Sequence, residues 1–150
     1  ASDVYKRQIY TLGKPINLIK QARELAKKTG CKLLYLSDFY GDLDIKHLRG
    51  LGPMEFVSYL ANAEYVFTNS FHGTAFSVNL HKNFFAEVNT LSRYNYRAEA
   101  LLKACGLMKR TMEQCKDVFE ESKKPIDFNA VENVLNLERN RSEKYFNEIL

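Results

Sequence analysis

The chain has 150 residues, 45% of them hydrophobic, and a formal charge of +4 from 22 basic and 18 acidic side chains. That is one domain's worth of chain, and the interspersed charges argue against the clustered basic face of a nucleic-acid binder. No apolar run approaches the roughly 20 residues that span a bilayer, and neither a secretory start nor paired cysteines are present, so a cytoplasmic protein with reduced Cys31, Cys105 and Cys115 is expected.

Residues 1–8, ASDVYKRQ, are set apart from the rest. Asp3 to Gln8 reads as the translation of a transposon end used in preparing DNA libraries, so this stretch is expected to be an adaptor-derived or non-native leader. The domain then occupies 9–150, opens inside a strand, and is expected to be the downstream part of a longer protein. Ile9–Leu12 is a predicted strand, and Gly13-Lys14-Pro15 leads into a helix carrying Ile16, Leu18, Ile19, Ala22, Leu25 and Ala26 that stops at Gly30. Lys32–Ser37, with four consecutive apolar residues, predicts a strand buried on both faces of a parallel sheet. Asp38–Leu51 is polar and broken by Gly41 and Gly50, which predicts a long loop at the carboxyl edge. Its Asp38, Asp42, Asp44 and His47 lack the spacing of a calcium loop, and no metal site is expected there.

Organisation is clearest from Gly52 to Leu80. Pro53 starts a helix through Phe56, Val57 and Leu60 to Asn62, Tyr65-Val66-Phe67 predicts a buried strand, and an apolar helical pattern resumes at Ala75, Phe76, Val78 and Leu80. Between strand and helix lie Thr68, Asn69, Ser70, Phe71, His72, Gly73 and Thr74. In an open α/β sheet such a turn lies where ligands bind, and the free N–H groups of the helix start favour a phosphate or carboxylate. Phe84–Val88 follows as a fourth strand, then an edge loop Asn89–Tyr94 with Arg93, and a helix Tyr96–Ala104 closed by Gly106. Thr111–Lys124 is charged and weakly patterned. Past Pro125 one helix is marked by Phe128, Val131, Val134, Leu135 and Leu137, and a last amphipathic helix by Tyr145, Phe146 and Ile149. The whole predicts an α/β fold, a Rossmann-like parallel sheet flanked by helices. No GxGxxG follows the first strand, so a dinucleotide cofactor is not supported.

The run GPMEFVSYLANAEYVFTNSFHGTAFS resembles the polysaccharide pyruvyl transferase family, in which a G-P-x-E-F helix leads into a T-[ND]-S-F-H-G turn. Asn95-Tyr96-Arg97 resembles that family's N-x-R segment, Cys105-Gly106-Leu107 with Arg110 its "lGL…R" ending, and Ile126-Asp127 with Arg139, Ser142 and Tyr145 its tail. Where the family usually has proline this chain has Asn83, a departure that bears on turn rigidity. The resemblance implies the carboxyl-terminal half of a GT-B-like two-domain enzyme. It also implies transfer of a pyruvyl group from phosphoenolpyruvate to a glycan or lipid-linked sugar, giving a ketal. Phosphoenolpyruvate would be the donor substrate with no separate cofactor, the missing amino-terminal domain would be a partner, and peripheral membrane association could come through the acceptor.

Such chemistry must protonate an enol carbon, deprotonate hydroxyls, and hold a carboxylate and a phosphate. His72 could be the general acid, or stabilise the leaving phosphate as imidazolium. Position alone leaves open a histidine that only caps the turn; the motif match favours the catalytic role. Arg97, by the same resemblance, would bind the donor through its fork of N–H groups. Ser70, Thr74, Gly73 and Asn69 would complete donor binding, although a serine at a helix start also serves simply as an N-cap. Arg93, Lys82 and Arg110 are read as solvated, and Glu55 as a residue suited to a helix start. A nucleotide-sugar glycosyltransferase half and a noncatalytic binding domain stay open as alternatives. Alone, the fragment is expected to be inactive, since one wall of its cleft would be missing.

Overall fold

The strands Leu33–Leu36, Tyr65–Thr68 and Asn83–Ala86 are short, mostly apolar runs whose alternate side chains leave opposite faces of the pleat, so both faces must be covered by helices. The computed structural model describes residues 7–10, 15, 17–36, 45–88 and 96–150. In it β1 (Arg7–Tyr10), β2 (Leu33–Leu36), β3 (Lys46–Leu48), β4 (Tyr65–Thr68) and β5 (Asn83–Ala86) form one parallel sheet in the order β3-β2-β1-β4-β5. A single parallel bridge from Ala86 to Thr111 extends it past β5. The order reverses between β1 and β4, which pair directly, Tyr10 opposite Thr68.

Among the described residues six α-helices connect and cover the sheet: α1 (Leu18–Thr29), α2 (Pro53–Asn62), α3 (Phe71–Asn79), α4 (Tyr96–Ala104), α5 (Val118–Ser122) and α6 (Phe128–Ile149). Leu34, Leu36, Val66, Phe84 and Ala86 form one core with Leu60, Val78, Ala98, Leu102 and Val131 from α2, α3, α4 and α6. On the opposite face Tyr35, Phe67 and Phe85 pack with Leu18, Ala22, Leu25 and Val118 from α1 and α5. The Phe67 and Phe85 rings stack with centroids 5.4 Å apart. Each of these fully buried phenylalanines contributes roughly 2–3 kcal/mol of transfer free energy. The protein is therefore a three-layer α/β domain, as expected.

Several predicted elements shift. β1 starts at Arg7, two residues before the expected strand, and Arg7 and Gln8 pair with Leu33 and Leu34 on one side and Tyr65 and Val66 on the other. The expected loop Asp38–Leu51 contains β3, preceded by buried Ile45; its Asp38, Asp42 and Asp44 lie outside the described residues, while the His47 ring packs on Tyr35 with centroids 4.7 Å apart. Three residues with two basic side chains give no readable strand pattern. The two helices expected after Pro125 are one helix of 22 residues, because no glycine or proline interrupts Phe128–Ile149. Helix α3 begins at Phe71, so His72, Gly73 and Thr74 belong to its first turn.

Two residues read as solvated are tied into the structure instead. Arg110 is buried: its guanidinium donates to Asn83 Oδ1 and, at 2.6 Å, to the Lys124 carbonyl, and stands over the Phe85 ring. Asn83 also donates to the Ser122 carbonyl at 2.7 Å, so the asparagine at the first position of β5 fastens two later segments to the sheet. Lys82 Nζ donates to the Ala61 carbonyl at 2.9 Å, and burial lowers its pKa. Among the described residues no helix is long and apolar enough to cross a membrane.

Candidate functional site

A parallel sheet places the amino termini of the helices that follow its strands along its carboxyl edge, and the reversal of strand order opens a crevice there. Here the order reverses between β1 and β4, and the segment leaving β4 enters α3. Thr68, the last residue of β4, accepts the Ser70 N–H on its Oγ1 at 3.1 Å, which bends the chain out of the sheet. Ser70 keeps extended backbone as the N-cap, and its Oγ accepts the Gly73 N–H at 3.3 Å. Thr74 returns its hydroxyl to the Ser70 carbonyl at 2.9 Å, and Ser77 donates to the Gly73 carbonyl at 2.7 Å. Ser70, Gly73 and Thr74 are buried, and Asn69 is half-buried on the bend. Three of the expected donor-binding residues thus make the turn rigid through their own hydrogen bonds.

This bonding leaves the first two N–H groups of α3, those of Phe71 and His72, without an acceptor among the described residues. No acidic residue stands in the first turn of α3. Other helix starts on this edge hold a carboxylate. Glu87, buried just past β5, accepts the N–H of Asn17 at the start of α1 at 2.7 Å, and Glu55 accepts the Gly52 N–H at the start of α2 at 3.1 Å. Glu99 occupies the first turn of α4 and pairs with Lys103 at 2.7 Å. The α3 entry therefore combines partial positive charge with open donors.

His72 is exposed at this entry, and Arg97 is exposed in the first turn of α4, beside it. One ring links them. Arg97 Cζ stands 4.5 Å from the centroid of the Phe71 ring, and the His72 ring meets Phe71 edge-on at 5.8 Å and 66°. Arg97 makes no ion pair among the described residues. A proton carrier and a cation with a free fork of donors thus converge on the first turn of one helix, where an anion of two charged groups could be held at both ends. Tyr96 and Met54, on the first turns of the neighbouring helices α4 and α2, are exposed on the same edge.

A second set of ionisable groups lies one strand away. The Glu87 N–H donates to the Thr68 carbonyl at 2.9 Å, and Glu113 accepts the Val88 N–H at 3.3 Å. Burial pushes the Glu113 carboxyl up, and the nearby charges of Glu87 and Glu99 push the same way against the backbone N–H groups that favour its ionised form. Among the described residues no group of three His, Cys, Asp or Glu side chains is placed to hold a metal ion. Arg93 and the edge loop expected around it lie outside the described residues.

The structure brings the expected His72 and Arg97 to one ring and adds Phe71 and Glu87, which the sequence does not single out. In the sequence Phe71 reads as part of the turn between strand and helix, and Glu87 as part of the strand Phe84–Val88; a carboxylate directly after Phe84-Phe85-Ala86 was the available signal. The family model described as polysaccharide pyruvyl transferase matches residues 2–89 of the chain. That span contains the whole β4–α3 entry with His72 and ends before Arg97. No curated protein matches the chain.

Proposed function

Because the chain belongs to the polysaccharide pyruvyl transferase family, we propose that it contributes the donor half-site of a ketal-forming transferase. The donor is phosphoenolpyruvate and the acceptor a sugar of a polysaccharide or of its lipid-linked precursor. The supporting observation is the convergence of His72 and Arg97 on Phe71, at a helix start with open N–H groups. In this reading the donor phosphate sits against the Phe71 and His72 N–H groups and the carboxylate takes the Arg97 fork. Ser70, Gly73, Thr74 and Asn69 serve by shaping that turn.

The protons balance with one acid. His72 as imidazolium protonates C3 of the enol and C2 becomes electrophilic. One acceptor hydroxyl adds to C2 and gives up its proton, returning His72 to its charged form directly or through solvent. Departure of phosphate then lets the second hydroxyl close the ketal, and its proton leaves with phosphate, whose negative charge the helix start and imidazolium stabilise. The acceptor is met by a second Rossmann-like domain across the cleft, in a GT-B-like arrangement, and the reaction runs in the cytoplasm, with any membrane association arising through the acceptor. By itself this half is inactive.

An amide NMR titration with phosphoenolpyruvate, beside one with a uridine-diphosphate sugar, tests the reading. Saturable shifts at residues 70–74 and Arg97 with phosphoenolpyruvate alone are expected. Shifts with the nucleotide sugar alone would replace it with a glycosyltransferase half, and silence from both would reject a donor half-site in this chain.

A further inference from the structure

Phe71 has one side in the core and the other in the site. Its ring is half-buried and packs on the cluster containing Val66, Val78, Ala98 and Leu102, whereas both residues it touches outward, His72 and Arg97, are exposed. An exposed arginine ordinarily samples many rotamers, and a donor that must order it loses affinity. We propose that Phe71 is a positioning residue for the donor: its ring holds the Arg97 guanidinium by the face and fixes it beside His72, leaving the guanidinium edge for a carboxylate.

The geometry carries this inference. A guanidinium is planar, attracts an aromatic face through its charge, and keeps all five N–H groups in its plane. Cζ of Arg97 stands over the ring, 4.5 Å from its centroid; a guanidinium held there by its face spends a surface that donates nothing and keeps its fork of donors. The His72 ring meets the same Phe71 ring edge-on, with centroids 5.8 Å apart and planes at 66°. Since Phe71 belongs to α3 and Arg97 to α4, the ring also sets the distance between the α3 N–H groups and the cation. A bifunctional anion with a carboxylate and a phosphate a few bonds apart is the ligand that such a fixed spacing selects. This inference rests on the donor reading above.

The test compares Phe71→Met, Phe71→Leu and Phe71→Tyr in the isotope-labelled chain. Arg97 Nε–Hε resonances report the ring current directly, without any ligand, and phosphoenolpyruvate titration reports affinity. Expected are loss of the ring-current shift and about a tenfold weaker Kd in Met and Leu variants that unfold at the wild-type temperature, with both properties restored in Phe71→Tyr. Unchanged Arg97 resonances in a folded Phe71→Met chain would overturn the proposal, as would equal weakening by Met and Tyr, which marks a purely structural ring. If the wild-type chain gives no saturable phosphoenolpyruvate shifts, the donor reading fails, and the positioning role for a donor fails with it. A wild-type response that Met and Leu leave intact keeps the donor reading and rejects Phe71 alone.

Discussion

His72 and Arg110 show how differently two nitrogen-bearing side chains can be used by one small domain. His72 is exposed and its ring contact with Phe71 is edge-on, so its removal leaves the fold's core untouched. His72→Ala in the complete protein should lower turnover by about 10²–10⁴-fold, the usual range for a lost general acid, with unchanged circular dichroism. Normal phosphate release from phosphoenolpyruvate in a folded variant would remove His72 from the chemistry. Arg110 is the opposite case. Burial lowers its pKa, opposed by the Glu121 carboxylate and by Cys115 and Tyr65, and its hydrogen bonds go to neutral acceptors on Asn83 and Lys124. Arg110→Ala leaves both acceptors unpaired and should cost about 3 kcal/mol in urea unfolding. Combined with Asn83→Ala the loss should be less than additive, because the two residues share one contact.

Helix ends are where local sequence and fold agree most closely. Helix α2 spans Pro53–Asn62, the limits read from proline and the apolar spacing, and Gly106 closes α4 with φ 68°, a conformation an L side chain resists. Helix α5 was not legible: its five residues carry three polar side chains, and it is defined by Asp117, whose Oδ1 accepts the Glu120 N–H at 3.0 Å. That backbone hydrogen bond is the main cause holding the Asp117 carboxyl below its ordinary value. A depressed folded-state pKa means stability that is complete above the unfolded carboxyl's pKa, near 3.9, and lost as pH falls through the folded value. Asp117→Asn keeps the capping oxygen without the charge. It should flatten that part of the acid-unfolding curve by lowering stability at neutral pH toward the acid value, with little change below both pKa values, and an unaltered pH profile would show that the charge of the cap contributes nothing.

At the scale of the whole molecule, the contacts that fasten α6 to other elements among the described residues run from Phe128 to Arg139. Val131 is buried, His81 stacks on Phe128 with centroids 4.6 Å apart and bonds Glu132 at 3.0 Å, and Arg139 reaches Asn79 at 2.9 Å; Tyr145, Phe146 and Ile149 stay exposed. Deleting residues 141–150 should therefore change the unfolding free energy by less than about 0.5 kcal/mol, as for other surface changes, and a larger loss would mean the exposed turns pack somewhere. The same half-anchored helix shows where reading the chain stops. Sequence by itself determined the α/β class, four of the five strands, the helix starting at Pro53 and the polar entry with His72, because each depends on neighbours a few residues apart. Tertiary structure decided the rest. The edge strand Lys46–Leu48 exists through pairing with β2, Arg110 is a core tie only because Asn83 and Lys124 surround it, and Arg97 joins His72 only because α4 is laid against α3 over Phe71. These contacts join residues far apart in the chain, and no local periodicity encodes which side chains packing will bring together.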